Sequence, residues 1–156
     1  MQKWYNLLEH LVGYAMKVIS REAMLADALD LFYLSLPHRR YTVADLQTYL
    51  MLPLRYNTLR VYYLDDVPIG LVTWCWMTEE NGKAFLQDKY HPTPEDHDSS
   101  LRDGKQLWGV EFITPYGHAR PVMNQIKQEC VETYGQSDIY WRRFSNRTHK
   151  RRGKFQ

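Results

Sequence analysis

Leu59-Arg60-Val61-Tyr62-Tyr63-Leu64-Asp65-Asp66-Val67-Pro68-Ile69-Gly70-Leu71-Val72-Thr73-Trp74-Cys75-Trp76-Met77 decides the fold class. Two runs rich in aromatic and branched residues, Leu59 to Leu64 and Ile69 to Met77, flank the polar turn Asp65-Asp66-Val67-Pro68, which predicts a β-hairpin. The second run is apolar on both faces, so it belongs inside a sheet rather than at an open edge. Cys75 within it is read as a packed thiol, not a nucleophile. Ile69 to Met77 is also the longest apolar run, far short of the ~20 residues that cross a bilayer, so no transmembrane segment is expected.

On the N-terminal side, Leu7, Leu8, Leu11, Val12, Ala15, Val18 and Ile19 recur at helical steps, and Met24, Leu25, Ala28, Leu29 and Phe32 continue them. This predicts one long amphipathic helix or two consecutive ones, with the stripe serving as core or dimer contact. Ser35-Leu36-Pro37-His38-Arg39-Arg40-Tyr41 interrupts it. Pro37 fixes its own φ and disfavours the α conformation at Leu36, so the helix ends near Leu34. Thr42 and Asp45 form a capping-box pattern for the next helix, which Val43, Leu46, Tyr49 and Leu50 mark and Pro53 closes. His38 therefore lies on a short connector between two anchored elements. It is the candidate reactive group, because imidazole ordinarily titrates near neutrality and a connector is open to substrate.

Beyond the hairpin, Glu79 to Tyr90 carries a short helix, and His91 to Lys105, with Pro92, Pro94 and Gly104, reads as a loop. His91, Asp96, His97 and Asp98 match no metal-ligand spacing, and no metal site is assigned. Gln106 to Thr114 is a strand with Trp108, Val110 and Phe112 on one face and Leu107, Gly109, Glu111 and Ile113 on the other. A carboxylate in that apolar row needs a partner: a histidine N–H, an arginine such as Arg39, or water. Gly109 leaves room for a ligand or another backbone. After the break at Thr114-Pro115-Tyr116-Gly117, Met123, Ile126, Cys130 and Tyr134 define a helix from near Pro121 to Gly135. Its N-terminus suits an anion such as a phosphate-bearing ligand. Ile139 to Phe144 is the last strand. The succession predicts an α+β fold with a mixed or antiparallel sheet flanked by helices. It forms one domain over residues 1–156, with an N-terminal helical region at 1–34 and a basic tail at 142–156.

Composition agrees with a packed domain, since 44% of the 156 residues are apolar and 14% aromatic. Glu9, Lys17, Arg21 and Glu22 interrupt the N-terminal apolar pattern, so no signal peptide is expected. Two cysteines, Cys75 and Cys130, make no disulfide framework and point to a reducing cytoplasm. Arg142, Arg143, Arg147, Lys150, Arg151, Arg152 and Lys154 have no acidic residue among them, whereas the first 141 residues hold 13 basic against 18 acidic residues, a net −5. Such an arm suits nucleic acid, a membrane surface or an acidic protein, or is simply solvated.

Ser35-Leu36-Pro37-His38-Arg39, Leu52-Pro53-Leu54-Arg55, the hairpin with Pro68 and Trp74, Leu107-Trp108-Gly109-Val110-Glu111-Phe112-Ile113-Thr114-Pro115-Tyr116-Gly117, and the Ile139 to Gly153 region with Thr148-His149 follow one another in fixed order. In order and spacing they resemble the RTX toxin-activating lysine acyltransferases, the small proteins that activate haemolysins by fatty acylation. The resemblance runs from about Leu34 to Phe155 and is looser before that. It implies a divergent GNAT-like acyltransferase fold, a homodimer, a cytoplasmic location and no tightly bound cofactor. It also implies acyl-acyl carrier protein as donor and internal lysine ε-amines of an RTX protoxin as acceptors. His38 and Glu111 match the family's catalytic pair, and Ser35, Arg39, Arg40, Gly109 and Gly117 are assigned to substrate binding. Glu111 stands where the family has aspartate, Thr114 and Tyr116 replace alanine and phenylalanine, and Leu36-Pro37 reverses the usual order.

A lysine amine, ordinarily protonated at neutral pH, gains from a base as it attacks a thioester. His38 is that base, or itself takes the acyl group. Glu111 orients its ring, and Arg39, Arg40 and the terminal arginines steer the acidic carrier. Apolar hairpin faces line the acyl groove. Two other classes compete. Tyr140-Trp141-Arg142-Arg143-Phe144 and the basic tail mix aromatics and cations as single-strand nucleic-acid binders do, but the remaining chain is acidic and holds no such motif. An acetyl-CoA-dependent N-acetyltransferase is disfavoured because no Gln/Arg-x-x-Gly-x-Gly loop is present.

Overall fold

A computed structural model describes residues 19–143 and 151–155. The apolar stripe of residues 7–18, where one long helix or two consecutive ones are expected, lies outside the described residues. Helix α1 (Arg21–Leu34) starts where the Ser20 hydroxyl accepts from the Ala23 amide, and it buries Ala28, Leu31 and Phe32. It stops at Ser35, as the following proline requires. A 3₁₀ turn over His38–Arg40 leads to Thr42, whose reciprocal hydrogen bonds with Asp45 cap α2 (Val43–Leu46).

Pro53 does not close this segment. The chain widens into a π turn over Gln47–Met51 and continues as α3 (Leu52–Arg55), with Pro53 in its first turn. A proline ring normally strikes the carbonyl four residues back, and the wider turn before it removes that clash.

Five strands form one sheet in chain order: β1 (Leu59–Leu64), β2 (Val67–Met77), β3 (Gln106–Ile113), β4 (Ile139–Arg143) and β5 (Arg151–Phe155). β3 and β4 pair in parallel and all other neighbours antiparallel, so the sheet is mixed. The hairpin turn is tighter than the four residues expected. Asp65 and Asp66, at φ 48° and 65°, make it alone, and Val67 already pairs with Leu64. Positive φ at both central residues matches the right-handed twist of the strands, and aspartate tolerates it. The basic tail also departs from a free arm, since residues 151–155 cover the outer edge of β4.

Both faces of β2 are buried, as its composition requires. One carries Trp74 and Trp76 against helix α6 (Ala119–Tyr134), while the other carries Leu71 against α1 and Cys75 and Met77 against Tyr49 and Phe85. Burial pushes the Cys75 thiol well above its ordinary range, which keeps it unreactive. Gly135, at φ 66°, ends α6 where the sequence places the end.

The polar stretch after α4 (Glu79–Leu86) is not a plain loop. It folds into α5 (Pro94–His97) and a 3₁₀ turn over Ser99–Leu101, and buries Asp96 and His97. His97 Nδ1 lies 2.7 Å from Thr58 Oγ1, and burial lowers its pKa from 6.5 to about 4, with the Asp96 charge opposing. The folded state therefore binds this proton less readily than the unfolded chain does. The stability it contributes is complete above pH 6.5 and declines as pH falls towards 4. Urea unfolding at pH 7 and pH 4.5 is expected to differ by about 2–3 kcal/mol from this residue, a difference that His97→Gln should largely remove.

Candidate active site

The alternation expected for β3 breaks at Glu111. Val72 pairs with Phe112 and Trp74 with Gly109, so Thr73 of β2 faces two residues of β3, Val110 and Glu111. This β-bulge turns both side chains to one side. Leu107 and Phe112 pack on the α6 side, Val110 joins the Tyr49 cluster, and Glu111 shares the α1 side with Ile113. The Glu111 amide, displaced from the ladder, donates to Thr73 Oγ1 at 3.0 Å.

So aimed, the carboxylate reaches the Ser35–Tyr41 connector. Glu111 is 2% exposed, and its Oε2 lies 2.6 Å from His38 Nε2. Tyr41 donates its hydroxyl to Oε1 at 2.6 Å. A carboxylate only accepts, so the imidazole proton is assigned to Nε2, which leaves Nδ1 as acceptor for the Ser35 hydroxyl, 2.6 Å away. The 3₁₀ spacing sets Ser35 and His38 above one another, and the backbone fixes the turn through His38 N–H to Ser35 O at 3.0 Å. Phe32 and Tyr41 rings brace the imidazole, with centroids 5.1 and 5.0 Å away. Burial first, and then the Glu111 charge, push the Tyr41 phenol far above its ordinary range, so it stays a donor. Serine, imidazole and carboxylate are thus in line, a triad with the two ring nitrogens exchanged relative to hydrolases.

Pairing of β3 with β4 runs from Leu107↔Ile139 to Gly109↔Trp141, and β3 continues past it. Where the two strands part lies a cavity of about 670 Å³, lined on one side by Ser35, His38 and Glu111. Phe112, Met123 and Trp141 give it an apolar wall, and Arg120, Lys127 and Arg142 add cations. Arg142 is held by Asp88 at 2.8 Å and lies over the Phe85 ring. Arg120, Met123, Asn124 and Lys127 are spaced as one face of α6, a pattern readable from sequence once the helix is located. Tyr41, Thr73 and Trp141 carried no such signal.

Of the residues assigned to substrate, only Ser35 lines this cavity. Arg39 is folded back onto Tyr33, with its guanidinium 4.6 Å from the ring and its Nε bonded to the Tyr33 carbonyl; it is not the partner of Glu111. Arg40 is exposed on the turn. The space over Gly109 is taken by the Trp141 indole rather than by a ligand or a backbone, and Gly117, at φ 89°, is a turn residue whose amide bonds Thr114. The aromatics proposed for base stacking are likewise engaged: Trp141 is buried, and Tyr140 stacks on Trp108 at 5.3 Å. Phe144 lies outside the described residues.

Comparison with known proteins places the chain in a family. The chain is 24% identical over 115 residues to an uncharacterised protein of Synechocystis, covering 72% of this chain and 71% of that one. It is 30% identical over 93 residues to the lysine-acyltransferase RtxC of Vibrio cholerae serotype O1, covering 58% of each. It is 26% identical over 81 residues to the leukotoxin-activating lysine-acyltransferase LtxC of Aggregatibacter actinomycetemcomitans, covering 52% of this chain and 46% of that protein. The match thus spans less than two thirds of either named acyltransferase. Residues 17–154 match the family model described as the RTX toxin acyltransferase family, nearly the whole chain, and the chain belongs to that family.

Proposed function

We propose that this chain moves a fatty acyl group from acyl-acyl carrier protein to internal lysine ε-amines of an RTX protoxin. His38 acts as base and Glu111 as its orienting anion. The observation that carries the reading is the Ser35–His38–Glu111 line opening onto an apolar cavity with a cationic rim. An apolar space inside the ~300–1,000 Å³ range of ligand sites suits a fatty chain better than an acetyl group. Arg120, Lys127 and the start of α6 suit the phosphate of a pantetheine arm. The attacking amine loses its proton to His38 Nδ1 through the Ser35 hydroxyl. Its nitrogen bonds the thioester carbon, the C–S bond breaks, and the thiolate leaves to take up a proton. Among the described residues no helix is long and apolar enough to cross a membrane, and the reading places the reaction in the cytoplasm, before export. It includes a homodimer, for which the exposed Tyr33, Leu34 and Leu36 offer apolar surface.

The 2.6 Å contact between Ser35 and Nδ1 favours a second route, in which Ser35 Oγ first takes the acyl group as an ester. Incubation with acyl-acyl carrier protein and a lysine-bearing protoxin fragment, read by intact mass, tests the function; an acceptor that gains no acyl mass refutes it. The same enzyme with donor alone separates the routes. Direct attack leaves its mass unchanged, with Ser35→Ala about 10-fold slower, whereas the ester route adds one acyl mass that Ser35→Ala abolishes.

A further inference from the structure

We infer that Trp141, seated on Gly109, is the specificity-determining residue that limits the length of the acyl chain this enzyme takes. The inference rests on the acyl-transfer reading of the cavity and adds the group that sets its depth. Pro37, Ala119, Arg120 and Asn124 are exposed and mark the mouth; Val110, Glu111 and Trp141, at 5%, 2% and 4%, are the buried lining residues, and with Glu111 turned to His38 the apolar end falls to Val110 and Trp141. Trp141 is the largest side chain at that end, and its position is set by a missing one. A Cβ built on Gly109 would stand 2.1 Å from the indole Cζ3 and 2.3 Å from Cε3 and Cη2. No side chain but hydrogen allows the ring to lie flat on β3. Phe112 meets the indole edge-to-face at 5.5 Å and stops it from tipping the other way. The floor is therefore a matched pair, glycine below and indole above, both on rigid strands where the parallel pairing ends.

The pair gives opposite predictions for its two members. Trp141→Ala deepens the cavity, and Gly109→Ala drives the indole into it. Each methylene admitted or excluded at an apolar floor changes affinity by about fourfold. The probes are octanoyl, dodecanoyl and hexadecanoyl pantetheine thioesters. They are measured for binding by calorimetry and, with a lysine peptide, for transfer, on variants whose circular dichroism matches the parent. The ratio of hexadecanoyl to octanoyl affinity is expected to rise by at least about tenfold in Trp141→Ala, to rise less in Trp141→Phe, and to fall by a similar factor in Gly109→Ala. Trp141→Phe keeps an aromatic floor and serves if either larger change unfolds the chain. A ratio unchanged within about twofold in the folded variants, or no binding of any probe to the parent, overturns the inference. Binding that follows this pattern without transfer would leave the floor as inferred and refute the acyltransferase reading instead.

Discussion

Replacing His38 by alanine is expected to lower acyl transfer by about 10³-fold while the protein still folds. In the proposed reaction the imidazole takes the proton from the amine, with Nδ1 facing the Ser35 hydroxyl and Nε2 bonded to Glu111. Little of the fold depends on it. The turn it occupies is held by backbone bonds, with Ser35 O accepting from the His38 and Arg39 amides, and the ring packs against Phe32 and Tyr41. The cost to stability falls instead on Glu111, which keeps Tyr41 but loses its other side-chain donor in a buried site, about 1–3 kcal/mol. A melting temperature a few degrees lower should therefore accompany the loss of activity. Acyl incorporation by intact mass, with melting followed by circular dichroism, checks both. Transfer within tenfold of the parent would sink the role given to His38.

What the sequence makes legible here is local chemistry. Pro37 and the Thr42–Asp45 box define the connector, Gly135 ends α6, and the unbroken apolar run of β2 puts it inside the sheet; each is decided by neighbours within a few residues. What stays hidden is set by pairing across strands. Strict alternation puts Glu111 in a row with Leu107 and Gly109, and only the extra residue opposite Thr73 turns it towards His38. No local pattern announces that bulge, so the right partner follows from the wrong face. Gly109 reads correctly as a place of close approach, but the visitor is an indole from a strand about thirty residues on, a long-range contact that propensity cannot name. Pro53 fails as a stop signal for the converse reason, because the π turn before it absorbs the clash on which the rule depends.

Exchanging Glu111 for glutamine should be about as damaging as removing His38, at roughly 10³-fold, although it changes no volume. In the proposed reaction the carboxylate does two things at once. Its Oε2 holds the imidazole proton on Nε2, and its charge stabilises the imidazolium that forms when Nδ1 accepts a proton. In the glutamine variant Tyr41 still donates to Oε1, so the amide NH₂ turns to His38. A donor facing Nε2 pulls the ring into its other tautomer, which puts the proton on Nδ1 against the Ser35 hydroxyl, where no base remains. Glu111→Asp keeps the charge but is one methylene shorter, and it cannot hold His38 and Tyr41 at 2.6 Å together; an intermediate loss follows. Combining Glu111→Gln with His38→Ala discriminates between a unit and two separate contributions. If carboxylate and imidazole act as one device, the double variant is about as slow as His38→Ala alone; if their losses multiply, Glu111 serves the reaction by some path other than this ring.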